Sequence, residues 1–282
     1  MVLALAINVV LLFAGVAGAL VFDSVALLAD AGHVLSDLGA IGLGLGAAAL
    51  AGRPAAGRRT FGFGRTEILA ALVNGIALVA VAAFVTVEAI GRLSDPPDVA
   101  GLGVLIVGLA GLAGNVAATL VLAGGDRRDL NLEGVLRHSA ADALGSLGVI
   151  VSGTVVLASG WAYADAIAGL LIGVLIVAGS WRLIREPFDV LMEAAPRGID
   201  VADVGAAMAA VPGVREVHDL HVWTVTSGFP ALAAHVLVAP DEDVDTVRRR
   251  IEALLAERFE IEHTTLQAMA APLLELEDRR GS

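Results

Sequence analysis

The sequence predicts a six-helix, all-α transmembrane bundle followed by a small α+β domain of order α-β-β-α-β, and three observations carry that prediction. The 282 residues are 57% hydrophobic and 17% charged, with a mean hydropathy of +0.82, which is more apolar than a soluble chain of this length. Six apolar stretches, 2–22, 24–51, 67–91, 99–123, 133–158 and 164–184, each match the ~20 residues that a helix needs to cross the hydrocarbon. Beyond Arg185 the chain turns acidic: 18 acids stand against 8 Arg from Glu186 onward, compared with 12 acids and 10 Arg before it. The predicted domains are 1–185, in the membrane, and 186–282, in water.

The first stretch has no basic leader ahead of it and no small-residue cleavage site behind it, so it is a span rather than a signal peptide. Spans three and four bring Asn74 and Asn115, which suit interhelical hydrogen bonds, while Glu67 and Glu88 sit near the ends of span three and face water. The runs "GLGLGAAALAG" and "GVLIVGLAGLAGN" are small-residue packing faces and not nucleotide loops, since no Lys and no preceding strand accompany them. Trp161, Tyr163 and Trp181 fall at the expected membrane interfaces. Orientation follows from Arg: residues 53, 58, 59, 65, 127, 128, 137, 182 and 185 lie on one side, and Arg92 alone lies on the other. Positive charge stays cytoplasmic, so both termini are expected there, in the plasma or inner membrane of the cell.

In the acidic part, "DVADVGAAMAAV" has helical spacing after capping acids and stops at "VPGV". "VREVHDLHVWTV" and "PALAAHVLVA" are β-rich runs around the turn "TSGF". "DEDVDTVRRRIEALLAERF" is an acid-capped amphipathic helix, and "IEHTTLQAMA" a last strand. A domain this small, with one sheet face uncovered by helices, invites dimerisation or metal.

Composition removes several functions. Cys is absent, which excludes thiolate metal sites and a cysteine nucleophile. Lys is absent too, which removes the phosphate-binding Lys of a P-loop and with it ATP-driven pumping by this chain alone. A net charge of −12 speaks against nucleic acid as a partner. What remains to be explained is "LLADAGHVLSD", residues 27–37, a stretch of apolar helix that holds Asp30, His33 and Asp37. Each ionisable side chain costs about 2.5 to 3.5 kcal/mol at the bilayer centre on insertion scales, so such groups mark function.

His33 and Asp37 are four apart and stack on one helix face, and span five repeats the spacing as His138 and Asp142 in "LRHSAADALGSLG". Two imidazoles and two carboxylates make a full ligand set for a tetrahedral divalent ion, with zinc the leading candidate. With every position taken by protein there is no place for an activated water, so the site is built to bind and release metal and not to hydrolyse. Asp30, one turn away, is placed as a group that orients His33 or lines a watery entrance.

At these residues the chain resembles the cation diffusion facilitator family of divalent metal/proton antiporters. "SVALLADAGHVLSDLGA", "FGFGRTEILAALVNG", "EAIGRL", "LNLEGVLRHSAADALGSLGVI" and "VHDLHVWTVTSG" carry the resemblance, which runs from span one to about Gln267. It implies that His33, Asp37, His138 and Asp142 form the transport site, with His33 favouring zinc and leaving cobalt and cadmium as alternatives, and it implies no organic cofactor. It also implies a homodimer, a ferredoxin-like cytoplasmic domain, and a charge interlock from Arg65 to Glu193 or Asp189. A regulatory zinc site of His218 and His235, with His221 as an optional further ligand and Gln267 near it, is another implication; in a regular strand His218 and His221 would point to opposite faces. Met269 stands where many members have an acid; the connection "AGGDRRDLN" lacks the histidines that many members carry there, and "GRPAAGRRTFGFG" has neither the His nor the acid of a second site that some members have.

The expectation is thus a secondary transporter that exports divalent metal, foremost Zn2+, from the cytoplasm in exchange for protons. An intramembrane metallohydrolase lacks its HExxH helix. A metal sensor that moves nothing would have no use for ionisable pairs in two spans.

Overall fold

The computed structural model describes residues 2–123 and 132–271, with side chains throughout except at Val2, Ala4, 122–123 and 132–141. The connection "AGGDRRDLN" therefore lies almost wholly outside the described residues. Six long helices come first: α1 (Val2–Val21), α2 (Val25–Ala51), α3 (Arg65–Ser94), α4 (Gly101–Ala123), α5 (Leu132–Ser159) and α6 (Tyr163–Leu191). Among the described residues five have the length and apolarity to cross a membrane, and the apolar part of α1, Leu5–Val21, is shorter. The chain divides into two compact units, one of Met1–Ala47 with Ala70–Arg185 and a second of Ala48–Leu69 with Glu186–Ser282. Helix α6 continues to Leu191 with Pro187 inside it, seven residues beyond the point where the apolar run ends. Hydropathy marks the hydrocarbon, whereas a helix continues for as long as its N–H ladder does, and a proline near its end removes a single rung.

In the first unit many large apolar side chains point outward, and alanines fill much of the interior. Phe13, Val87, Leu120 and Val174 are all more than 60% exposed, as suits lipid-facing positions, while Ala26, Ala29, Ala82 and Ala89 are fully buried beside Leu27, Val85, Val104 and Val149. In lipid no water drives helices together, so close backbone packing and interhelical hydrogen bonds do that work. The backbones of α4 and α5 approach each other closely. A Cβ on Gly101 would lie 2.6 Å from Leu157 N, and one on Gly153 2.7 Å from Leu105 N, so only glycine fits at either position. Asn115 Nδ2 donates to Ser146 Oγ at 3.2 Å across the same pair, and Ser36 Oγ donates to Asn74 Oδ1 at 3.2 Å between α2 and α3.

In the second unit the order is α7 (Val201–Ala209), β1 (Val214–Thr226), β2 (Phe229–Val238), α8 (Val244–Phe259) and β3 (His263–Ala270). Local chemistry starts each helix: the Asp200 carboxylate accepts from Ala202 N at 2.8 Å, and that of Asp243 accepts from Thr246 N at 2.8 Å. The sheet order is β1-β2-β3, with β1 antiparallel and β3 parallel to β2. Helix α8 buries Val247, Ile251 and Leu255, spaced by four, against Leu232, Val236 and Ile261, and Val204 and Met208 of α7 complete that core. Both helices thus contribute to one core layer, and the opposite face of the sheet presents Ala233, His235, Thr265 and Gln267.

Candidate metal centre

Three side chains from two helices converge in the first unit. His33 and Asp37 lie on α2 and Asp142 lies on α5, and one ligand atom from each falls within 4.8 Å of the others. His33 Nε2 and Asp142 Oδ1 are 3.0 Å apart, within hydrogen-bond distance. Ligands at about 2.0–2.2 Å around a tetrahedral ion stand roughly 3.3–3.6 Å from one another, a spacing that falls between the 3.0 Å of the His33–Asp142 contact and the 4.8 Å that bounds the group. The side chains of His33 and Asp142 keep 23% and 17% of their surface, enough for water and an ion to reach them. Two carboxylates in a low-dielectric setting favour a divalent cation over a monovalent one, because they offset its charge fully.

His138 stands on α5 one turn before Asp142, at a position whose side chain lies outside the described residues. Asp30 is not one of the three converging groups and lies against α4 and α5. Its Oδ1 is 3.1 Å from where a Cβ on Gly145 would be, and its Oδ2 is 3.7 Å from the corresponding point on Gly111. Glycine at both places gives that carboxylate room next to two helix backbones.

The second unit brings the cytoplasmic residues together as well. The register pairs His218 with His235 and His235 with Gln267, so the three form a row across β1, β2 and β3. The His218 and His235 rings are 5.3 Å apart between centroids and nearly perpendicular. His221 pairs with Ala233, two residues from His235, so β1 holds one extra residue between His218 and His221. That bulge returns His221 to the face of His218 and His235, where a regular strand would have sent it to the other side. It is built around Asp219, whose backbone has φ +53 and whose carboxylate lies 3.0 Å from His221 Nε2 and 4.0 Å from His235 Nε2. Sequence reasoning passed over Asp219; an acid flanked by two histidines in "HDLH" was the available signal.

Arg65 and Glu193 fall in this same unit, with Arg65 Nη2 3.9 Å from Glu193 Oε1 and Arg65 Nε donating to Val225 O at 3.1 Å. Asp189, the other partner considered for Arg65, lies 3.5 Å from Arg197.

An apolar helical bundle that holds a carboxylate–imidazole cluster, followed by a small α/β domain, is the architecture of a multi-pass membrane protein with a place for a cation. The chain belongs to the cation efflux family: residues 1–192 match the family's transmembrane domain and residues 196–268 its cytoplasmic domain, which is the dimer-forming part. It is 38% identical over 274 residues to the metal cation efflux system protein CzcD of Cupriavidus metallidurans, covering 96% of this chain and 86% of that one. It is 37% identical over 255 residues to a cadmium, cobalt and zinc/H(+)-K(+) antiporter of Bacillus subtilis, with 89% and 82% covered. With the zinc transporter ZitB of Escherichia coli it shares 36% identity over 259 residues, 91% and 82% of the two chains. Among solved structures it resembles the metal-bound C-terminal domain of the CzcD transporter, at 36% identity over 25% of this chain and 99% of that one, with a TM-score of 0.25.

Proposed function

We propose that this protein exports Zn2+ from the cytoplasm in exchange for protons, with His33, Asp37, His138 and Asp142 as the ligands that carry the ion. The observation that supports this most is the convergence of His33, Asp37 and Asp142 within 4.8 Å across two helices. The repeated four-residue spacing makes His138 the fourth donor beside Asp142. Zinc suits two nitrogens and two oxygens at tetrahedral coordination, and cobalt and cadmium are the nearest competitors. The curated relatives named for zinc, and for cadmium, cobalt and zinc with H+, support the same cargo and the same exchange.

Coupling resides in the ligands. An imidazole binds zinc only when neutral, so loading metal releases protons and reprotonation expels metal. A carrier whose site opens in turn to the cytoplasm and to a more acidic exterior then moves zinc outward with no separate proton path. Domain boundaries near residue 185, a cytoplasmic zinc site of His218, His221, His235 and Gln267 extended by Asp219, and an Arg65–Glu193 interlock belong to the same reading. Transport of individual metals into liposomes that carry the purified dimer tests it. Asp37→Ala and Asp142→Ala should each abolish zinc movement in a protein that still folds, since each removes a ligand and one of the two compensating charges. Wild-type flux in both variants would show that the ion is held elsewhere.

A further inference from the structure

A buried polar contact between distant parts of the membrane unit lies well away from the metal ligands. Asp165, at the start of α6, is 1% exposed, and its carboxylate reaches the first turn of α2. Ser24 Oγ donates to Asp165 Oδ1 at 2.5 Å, while Val25 N and Ala26 N donate to Oδ2 at 2.6 and 3.4 Å. Ser24 Oγ also accepts from Leu27 N at 3.1 Å. The N–H groups of the first turn of α2, which have no partner inside the helix, are thus satisfied in part by a residue 140 positions away. Ser152 of α5, also buried, lies with its Oγ 3.5 Å from Asp165 Oδ1. One carboxylate therefore joins α2, α5 and α6.

Capping alone does not require this arrangement. Ser24 is itself a good N-cap and already bonds Leu27 N, and a local acid in the exposed turn would complete the cap without burying a charge. Burying a carboxylate costs several kcal/mol unless it is well bonded, so its use here calls for a role that a local cap cannot fill. The ligand positions supply that role. His33 stands eight residues beyond Val25 on α2, and Asp142 ten residues before Ser152 on α5. At 1.5 Å per residue the clamp lies roughly 12 Å from one ligand and roughly 15 Å from the other, along the two helices that must bring them together. Over such a lever a tilt of only ~5° moves a ligand by about 1 Å, several times the ±0.2 Å within which metal bonds are held.

We propose that Asp165 is a positioning residue for transport: by clamping the start of α2 against α5 and α6, it sets the angle and register at which His33 and Asp37 meet Asp142. This rests on those residues being the transport ligands. The test compares Asp165→Ala, Asp165→Asn and the double variant Ser24→Asp/Asp165→Ala in proteoliposomes, measuring the zinc concentration for half-maximal flux alongside the melting temperature. Asp165→Ala should raise the half-saturating concentration by about tenfold or more, the scale on which partners that orient metal ligands act. The double variant should recover melting temperature, because Asp at position 24 restores a local cap, and should leave the half-saturating concentration high, because the tie to α6 is still missing. Recovery of both, or an Asp165→Ala protein with wild-type half-saturation, would overturn the proposal and leave Asp165 a plain cap. Should Asp165→Ala not fold, Asp165→Asn, which keeps one acceptor oxygen, reads the same quantity, and no rise there would equally overturn it. Asp37→Ala in the same assay keeps the two readings apart: normal zinc flux in that variant defeats the ligand assignment, whatever Asp165 does.

Discussion

Replacing Gly153 with Ala should weaken zinc handling without touching a ligand. The added Cβ would lie 2.7 Å from Leu105 N, 3.0 Å from Gly101 O and 3.1 Å from the α-carbon of Leu105, all backbone atoms that cannot swing aside. It falls short of ordinary 3.4 Å contact by about 0.7 Å, so α4 and α5 must part by that much or tilt. Overpacking of this kind typically costs about 1–3 kcal/mol of stability. Asp142 rides on α5 while its partner His33 rides on α2, so a comparable displacement stretches their 3.0 Å contact beyond hydrogen-bond range. The assay is a thermal melt of the purified dimer with and without zinc, joined to a zinc titration of flux. The expected result is a lower melting temperature and a half-saturating zinc concentration raised several-fold, with the ion-induced rise in melting temperature reduced to match. A variant that melts and saturates like the wild type would refute the reasoning, since the contact between α4 and α5 would then not govern where Asp142 stands.

Other consequences follow from the second unit. The Arg65–Glu193 pair is 42% and 68% exposed at 3.9 Å, so it should contribute no more than ~1 kcal/mol. Arg65→Glu should loosen the dimer slightly and Glu193→Arg should restore it, as measured by dimer dissociation; no rescue would reduce the pair to a surface contact. Asp243 has its pKa held below the ordinary 3.8 by the Thr246 hydroxyl and backbone N–H that its carboxylate accepts from. A depressed carboxylate adds stability above its unfolded pKa and loses it as pH falls through the folded value. Acid unfolding of the soluble domain, followed by circular dichroism on the full chain, should therefore begin at higher pH in Asp243→Ala, and an unchanged acid limb would contradict that. His218→Ala and His235→Ala should each lower zinc binding at the cytoplasmic face while leaving the sheet intact, and equal binding by equilibrium dialysis would remove that site.

Much of this molecule was legible in the sequence because its strongest signals are local. Apolar length marks the spans, and capping acids at Asp200 and Asp243 mark helix starts in the soluble domain. The spacing of His33 to Asp37 states which face they share. Asn74 and Asn115 were also readable, since an amide in an apolar helix needs a partner and both find serine hydroxyls on neighbouring helices. What escaped depends on tertiary register. The bulge at Asp219 adds one residue to β1 and reverses the face of His221, and a period of two cannot reveal it. Asp165 looks like an ordinary acid in the short turn "SGWAYAD" until α6 is laid beside the start of α2. The extension of α6 through Pro187 escaped for a related reason, because the polar residues after Arg185 end the apolar signal but not the helix.

The central claim is that zinc and protons compete for the same ligands, and proton flux measured together with zinc flux tests it most directly. Proteoliposomes that hold a pH-sensitive dye and a zinc-sensitive dye are given a pH gradient with the acidic side opposite the zinc. The account predicts that the gradient accelerates zinc accumulation on the acidic side, and that zinc added without a gradient drives protons the opposite way; both effects should vanish in Asp37→Ala. Zinc flux that ignores the gradient and moves no protons would make the protein a uniporter or channel and contradict the account.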